Sequence, residues 1–223
     1  MLQHNTVVSG FILVNDENTN QALAAAKAKI GDAEWKSGYS EEKCKIARAM
    51  LKEHRASCAF KLEGRLTRVS TAETKDAQGN TFRKVRVTLG EGRESTILSL
   101  DVGTEFCERL LPKLGAAVVQ LGIGAQVSIT CFPDVVERDG RTFVNHVASL
   151  KDAQGNQVKA TKPHFRMAQD AAQAAVEALQ KAGIKDRKAL NMARESAKEE
   201  YFFDLAQKLE GFFPVQPETK AAA

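Results

Sequence analysis

The stretch CAFKLEGRLTRVSTAETKDAQGNTFRKVRVTLGEGRESTILSLDV, residues 58–102, decides how this chain is read. From Cys58 the hydrophobic period is two. Phe60, Leu62, Gly64 and Leu66 fall on one face, and Lys61, Glu63, Arg65 and Thr67 on the other, the pattern of a half-buried strand. The polar run TAETKDAQGNT ends in Gly-Asn-Thr and reads as a hairpin loop with a left-handed glycine. In FRKVRVTL, Val85, Val87 and Leu89 share one face, while Phe82, Lys84, Arg86 and Thr88 share the other. GEGR makes a second turn. STILSLDV is then a third strand, with Leu98, Leu100 and Val102 inward.

Working outward from this stretch, the period changes at Thr104. TEFCERLLPKLGAAVVQL places Phe106, Leu110 and Leu111 at helical spacing behind a threonine N-cap and an acidic first turn. Pro112 is expected to end one helical piece and open another. QVSITCFPDVV returns to period two through Val127, Ile129 and Cys131, ERDGR turns, and TFVNHVASL is another strand. The hexapeptide KDAQGN occurs at Lys75–Asn80 and again at Lys151–Asn156, but the segments around the two copies do not otherwise match. We read them as one Asp-x-x-Gly turn used twice, the second copy adding a short hairpin after the fifth strand.

Three strands, a helix and two strands form the element order of the OB-fold, a five-stranded Greek-key barrel. The run "FKLEGRLTRV…FRKVRVTL…STILSLDV…AQVSITCF…DGRTFVNHVASL" resembles the OB domain of phage and bacterial single-stranded DNA-binding proteins, over about residues 58–152. That resemblance implies an α+β chain with three parts. Residues 1–57 form an N-terminal strand and helical extension, residues 58–160 an OB-fold domain, and residues 161–223 a C-terminal helical extension with an irregular tail. It also implies a protein that coats exposed strands with little sequence preference during DNA replication or recombination. Many members of that group end in a flexible acidic tail that recruits other proteins. Here the last residues carry Glu218 and Lys220 and end in three alanines, so this feature does not carry over.

The flanks read as helices. TVVSGFILV, residues 6–14, is a strand, and residues 20–57 hold two helices, the second capped by Ser40. After Pro163, HFRMAQDAAQAAVEALQKAG is one helix ended by Gly183. The next carries Leu190, Ala193, Ala197, Tyr201, Leu205 and Leu209 on one stripe, for packing or for a dimer or partner interface. Such helices are marginal alone in water, so they are expected to dock.

Composition narrows the function classes. With 223 residues, 43% hydrophobic and 27% charged, the chain is ordinary for a globular protein. No apolar run reaches the roughly 20 residues of a membrane span, and the N-terminus lacks a basic signal region; a cytoplasmic setting is the expected default. Cys44, Cys58, Cys107 and Cys131 contain no C-x-x-C pair, and His4, His54, His146 and His164 do not bracket them at zinc-finger spacing. No metal or cofactor is expected. No phosphate-binding loop, nucleophile elbow or H-E-x-x-H helix is present, and His146 has no acid or nucleophile partner that sequence can name. An enzyme is not the expected reading.

A single-strand binder needs less: cations for phosphates and flat side chains for stacking. The net charge of +4 is too small for a cationic tail, so any such affinity rests on local placement. The candidates are Lys61 and Arg65 on the first strand, Phe82, Lys84 and Arg86 on the second, and Arg141 and Phe143 on the fifth. Phe82 could instead pack under its hairpin, and Phe143 could face inward. The expected partner is single-stranded DNA, with RNA as the other candidate strand. A homodimer or a replication-protein contact through the helices would add to it, with no membrane involved. The alternative is an OB-scaffold module that contacts a host enzyme and binds no nucleic acid.

Overall fold

The computed structural model describes residues 1–75 and 79–214, with the backbone but not the side chain of Arg141. It contains eight strands: β1 (Leu2–Asn5), β2 (Gly10–Leu13), β3 (Cys58–Ala59), β4 (Lys61–Lys75), β5 (Thr81–Leu89), β6 (Thr96–Asp101), β7 (Gln126–Arg138) and β8 (Arg141–Asp152). The helices are α1 (Glu17–Ile30), α2 (Asp32–Lys36), α3 (Glu41–Glu53), α4 (Glu105–Leu121), α5 (His164–Lys181) and α6 (Arg187–Glu210). All eight strands join one sheet in the order β3-β2-β1-β6-β5-β4-β7-β8.

This corrects the five-stranded OB barrel. The strand, strand, strand, helix, strand, strand order from Lys61 to Asp152 is present, and its antiparallel pairs β4–β5, β5–β6, β4–β7 and β7–β8 form. Closing five strands into a barrel would require the two remaining edges, β6 and β8, to meet. Instead β6 takes β1 as a parallel neighbour, Leu2 opposite Leu98 and Gln3 opposite Ser99. The β8 edge is occupied by side chains and by the following turn. Glu105 Oε2 accepts from the His146 N–H at 3.0 Å, the Lys113 ammonium donates to the Ala148 carbonyl, and the Val158 N–H donates to the Leu150 carbonyl at 2.8 Å. An edge occupied at three successive alternate residues is not free to take another strand along its length.

The sheet is nevertheless strongly curled. Only Phe60 separates β3 from β4, yet the strand order puts five lateral steps between them. Five steps in a flat sheet span about 24 Å at roughly 4.8 Å each, whereas two residues reach about 7 Å. Only curling reconciles the two distances.

A bulge in β4 sharpens the bend. Leu66 pairs with Leu89 and Arg68 with Thr88, so Thr67 is the extra residue. Its hydroxyl donates to the Gly90 carbonyl at 2.7 Å. Beside it the strand must pass close to β5. A Cβ on Gly64 would stand 3.0 Å from the Leu89 Cβ and 3.2 Å from its carbonyl carbon. Only glycine leaves that gap.

The inner face holds the main core. Leu62, Leu66, Val69, Val85, Val87, Leu89, Leu98, Leu100, Val127, Ile129 and Cys131 pack against Phe106, Leu110, Leu111 and Leu114 of α4 and Phe202, Ala206 and Leu209 of α6. The inward faces of the central strands follow the alternation of the sequence, with three departures: Phe60, expected beside Leu62, is exposed, the phase shifts after Leu66, and Val102 is only half-buried. Pro112 does not break α4, which runs through it. The helix face on either side is buried on the sheet, and that burial outweighs the roughly 3 kcal/mol cost of an internal proline. On α6 the buried stripe is centred on Phe202, Ala206 and Leu209, with Tyr201 and Leu205 packed at its margin. Glu210 fixes its end, Oε2 accepting from the Thr71 N–H at 3.0 Å and from its hydroxyl at 2.6 Å.

The N-terminal segment corrects another expectation. The strand read at residues 6–14 is a hairpin half: residues 6–9 turn, β2 follows, and β1 precedes them. Helices α1 and α3 lie against the outer face of this end in a second core containing Val8, Ile12, Ala22, Ala26, Ala47 and Leu51. Ser40 caps α3, accepting from the Lys43 N–H at 3.2 Å. The second KDAQGN reverses the chain as read. Asp152 accepts from the Gln154 and Asn156 N–H groups at 2.9 and 2.8 Å, and Gly155 has φ +84°. Of the first copy, residues 76–78 lie outside the described residues, as do residues 215–223 of the tail expected to be irregular. All four cysteines are free thiols. Among the described residues no helix is long and apolar enough to cross a membrane.

Candidate nucleic-acid interface

Helices cover the inner face of the sheet and the outer face of its β1–β2 end; among the described residues the outer face of β4 and β5 has no helical layer, and at β6 Trp35 and Lys36 of α2 line one hollow with Ser99 and Asp101. The pairing register defines the rows across it. Arg68 lies opposite Thr88, which lies opposite Ile97. Ser70, Arg86 and Ser99 form the next row, continued by Gln3 of β1. Ala72, Lys84 and Asp101 follow, and then Thr74 with Phe82. Arg68 is diagonal to Arg86, and diagonal neighbours across a sheet lie about 7–8 Å apart. The result is a strip of three cations ending at an aromatic ring. Phe82 is 46% exposed, and the Lys84 ammonium lies 5.9 Å from its centroid.

The two β5 cations differ in state. Lys84 is half-buried and ion-paired with Asp101, whose other oxygen accepts from the Gln3 amide. Arg86 is also half-buried, but its flanking row partners, Ser70 and Ser99, carry only short hydroxyls. Among the described residues it forms no salt bridge, and its Nε is buried without a hydrogen-bond partner. A buried donor left unpaired costs about 1–3 kcal/mol, and among the described residues no carboxylate offsets the charge of this guanidinium.

The other sequence candidates are placed elsewhere. Lys61 and Arg65 are on the part of β4 that pairs with β7, beyond the bulge. Lys61 pairs with Glu63 at 2.6 Å. Arg65 donates to the Gly124 carbonyl at 3.0 Å and lies 3.3 Å from Glu91. Both are exposed, and both are already engaged. Phe143 is three strands away from β5 in the sheet order, near the tip of the β7–β8 ribbon, where Arg141 begins β8. The β4–β7 register ends at Lys61–Thr130, and Cys131, His146 and Asn145 are still held by Phe60, Glu105 and Arg109, so the two-stranded arm projects only beyond Asp134 and Asn145, closed by Asp139 and Gly140 with φ +51° and +69°. Phe143 is 49% exposed and lies outward, which settles the choice that sequence left open. It shares a shallow hollow of about 200 Å³ with Val136, Arg138 and Asn145.

Two residues of this surface escaped the sequence reading. Arg68 was hidden because the Thr67 bulge shifts the alternation: Leu66 and Val69, three apart, both point inward. Phe132 shares an arm face with Phe143, because the pairs Phe132–Val147 and Val136–Phe143 have the same parity. Its signal was the sequence CFPDVV, in which the proline removes a donor and strict alternation sends Phe132 away from Cys131.

No protein-family model, curated protein or solved structure matches this chain.

Proposed function

We propose that this protein binds single-stranded nucleic acid, DNA in the first instance, through the outer face of β4, β5 and β6, and coats exposed strands in replication or recombination. The observation that carries this reading is Arg86: a half-buried guanidinium with an unpartnered Nε, next to Arg68 and Lys84 on an uncovered sheet face. A phosphate oxygen at the guanidinium supplies the counter-charge that the fold does not, and a charge-assisted bond is roughly twice as strong as a neutral one. Phe82 at the end of the strip offers a stacking surface, worth about 1–3 kcal/mol per base. Phosphate contacts and stacking carry little base information, so the expected binding is sequence-tolerant. Single strands are favoured because the cations and the ring lie on one nearly continuous surface, reached together by a strand whose bases are unpaired.

Fluorescence polarisation with labelled oligo-dT, its duplex and oligo-U, at low and moderate salt, tests the reading. The expected result is tighter binding of the single strand than of the duplex, weakening with salt. Absence of binding at low salt overturns it.

One observation favours a second reading. The β7–β8 arm exposes Phe132 and Phe143 on one face and Val135 on the other. A protein-contact module using this arm predicts that an arm variant loses a protein partner while strand binding is absent in the parent.

A further inference from the structure

The helical side of the sheet carries another cationic site, remote from the face described above and independent of it. A cavity of about 320 Å³ opens where the middle of α4 meets the start of α5. Its chemistry comes from Arg109, Lys113 and Lys162, with Pro112, Pro163 and Phe165 as apolar walls. The one carboxylate in the lining, Glu108, is buried and already satisfied by Lys198 at 3.3 Å. Arg109 gives Nε and Nη2 to Glu105 and reaches Asn145 at 3.3 Å, and among the described residues Lys113 bonds only the Ala148 carbonyl. Among the described residues neither Lys113 nor Lys162 has a carboxylate partner.

The cations crowd one another. Burial, and then Arg109, lowers the Lys113 pKa; burial, and then Lys162, lowers that of His164. The α5 terminus opens on the same space, with no side-chain cap and no acidic residue in its first turn. Its backbone N–H groups therefore add to the positive field and offset none of it. With Arg109 paired to Glu105 and Glu108 to Lys198, Lys113 and Lys162 leave an excess of two charges. A phosphomonoester brings about −1.5 to −2. The volume is at the small end of the roughly 300–1,000 Å³ of ligand pockets. Phe165, which is largely exposed, gives a flat body a surface.

We infer that this cavity binds a phosphomonoester on a flat, mononucleotide-sized body. The phosphate would lie among Arg109, Lys113 and Lys162, with the base against Phe165. A free mononucleotide and the 5′-phosphorylated end of a strand share this chemistry.

Calorimetric titration of the full chain with dAMP, deoxyadenosine and inorganic phosphate tests it. The expected result is saturable dAMP binding at least tenfold tighter than deoxyadenosine, weakened at least tenfold by Lys162→Glu. Because Lys162 is exposed, the melting temperature should not move. Phe165→Ala should weaken dAMP but not inorganic phosphate. Equal binding of dAMP and deoxyadenosine, or dAMP binding indifferent to Lys162→Glu, overturns the inference. Oligo-dT with and without a 5′ phosphate, titrated into Arg86→Met, separates the sources. A Lys162-dependent gain of tenfold from the phosphate assigns the site to strand ends, and no gain with dAMP binding intact assigns it to free nucleotides. Loss of strand binding in the parent leaves the dAMP arm unaffected, so the two readings fail separately.

Discussion

His4 and His146 face each other where β1 meets β8 and α4, ring centroids 5.7 Å apart, and each keeps a ring nitrogen buried without a partner. His4 stacks on Phe106 of α4 at 4.2 Å, and the ring of Tyr39 closes on His146 from the other side. Burial, then the neighbouring His146, lowers the His4 pKa to about 3. Burial also lowers that of His146, with Glu105 opposing and Arg109 assisting. At pH 7 and above both rings are therefore neutral in the fold. Below the unfolded value of 6.5 the unfolded chain takes up protons that the folded chain refuses, so stability falls as pH falls from about 7 towards 3. His4 alone should remove about 2 kcal/mol by pH 5. Thermal melts between pH 7.5 and 5 should show a steep decline that His4→Phe flattens; an unchanged slope in that variant would remove the histidine pair as the cause.

Arg86→Met keeps the aliphatic stem and deletes the guanidinium. Because Nε is unsatisfied in the fold, stability should hold or rise slightly. Oligo-dT affinity should drop, and the slope of log affinity against log salt should shrink by roughly 0.7 for each phosphate no longer neutralised. Polarisation titrations across salt read both quantities, and a slope identical to the parent places the phosphates elsewhere.

Lys84→Ala should behave differently from Arg86→Met. It strands the half-buried Asp101 with only the Gln3 amide, so it should cost stability as well as affinity. Adding Asp101→Asn should recover most of the stability but not the binding. A double-mutant cycle by chemical denaturation measures the coupling.

Phe82→Ala separates stacking from packing. The ring is largely exposed and outward, so the melting temperature should stay within a degree or two, exposed changes being usually within about 0.5 kcal/mol. Affinity should fall by about 1–3 kcal/mol with the salt slope nearly intact. A variant that melts early and binds normally would make the ring a packing residue.

Gly64→Ala tests the bend of β4. The new methyl meets Leu89 at 3.0 Å on one side and its carbonyl carbon at 3.2 Å, so β4 and β5 must separate. A loss of about 1–3 kcal/mol is expected, the usual cost of overpacking. Glu63→Ala on the outer face should cost little, and urea titration of the pair compares them.

Sequence alone determined the order of the strands from Lys61 to Asp152, the helix between them and most inward faces, but not strand length: TAETK, read as the start of a loop, continues β4 to Lys75. Periods of two and 3.6 are local properties, and apolar side chains such as Val85, Val87 and Ile129 must leave water whichever strand lies beside them. It also placed Phe82, Lys84 and Arg86 together, because alternation along one short strand needs no tertiary information. What only the tertiary structure decided is which edges meet. Backbone N–H and C=O groups are the same in every residue, so nothing in STILSLDV states that its free edge takes Leu2 and Gln3 while β8 is sealed by Glu105 and Lys113. The Thr67 bulge, the Lys84–Asp101 pair and the unpartnered Arg86 have the same origin. Each depends on which residue of the adjacent strand lies opposite, and a one-residue slip in register would have changed all three.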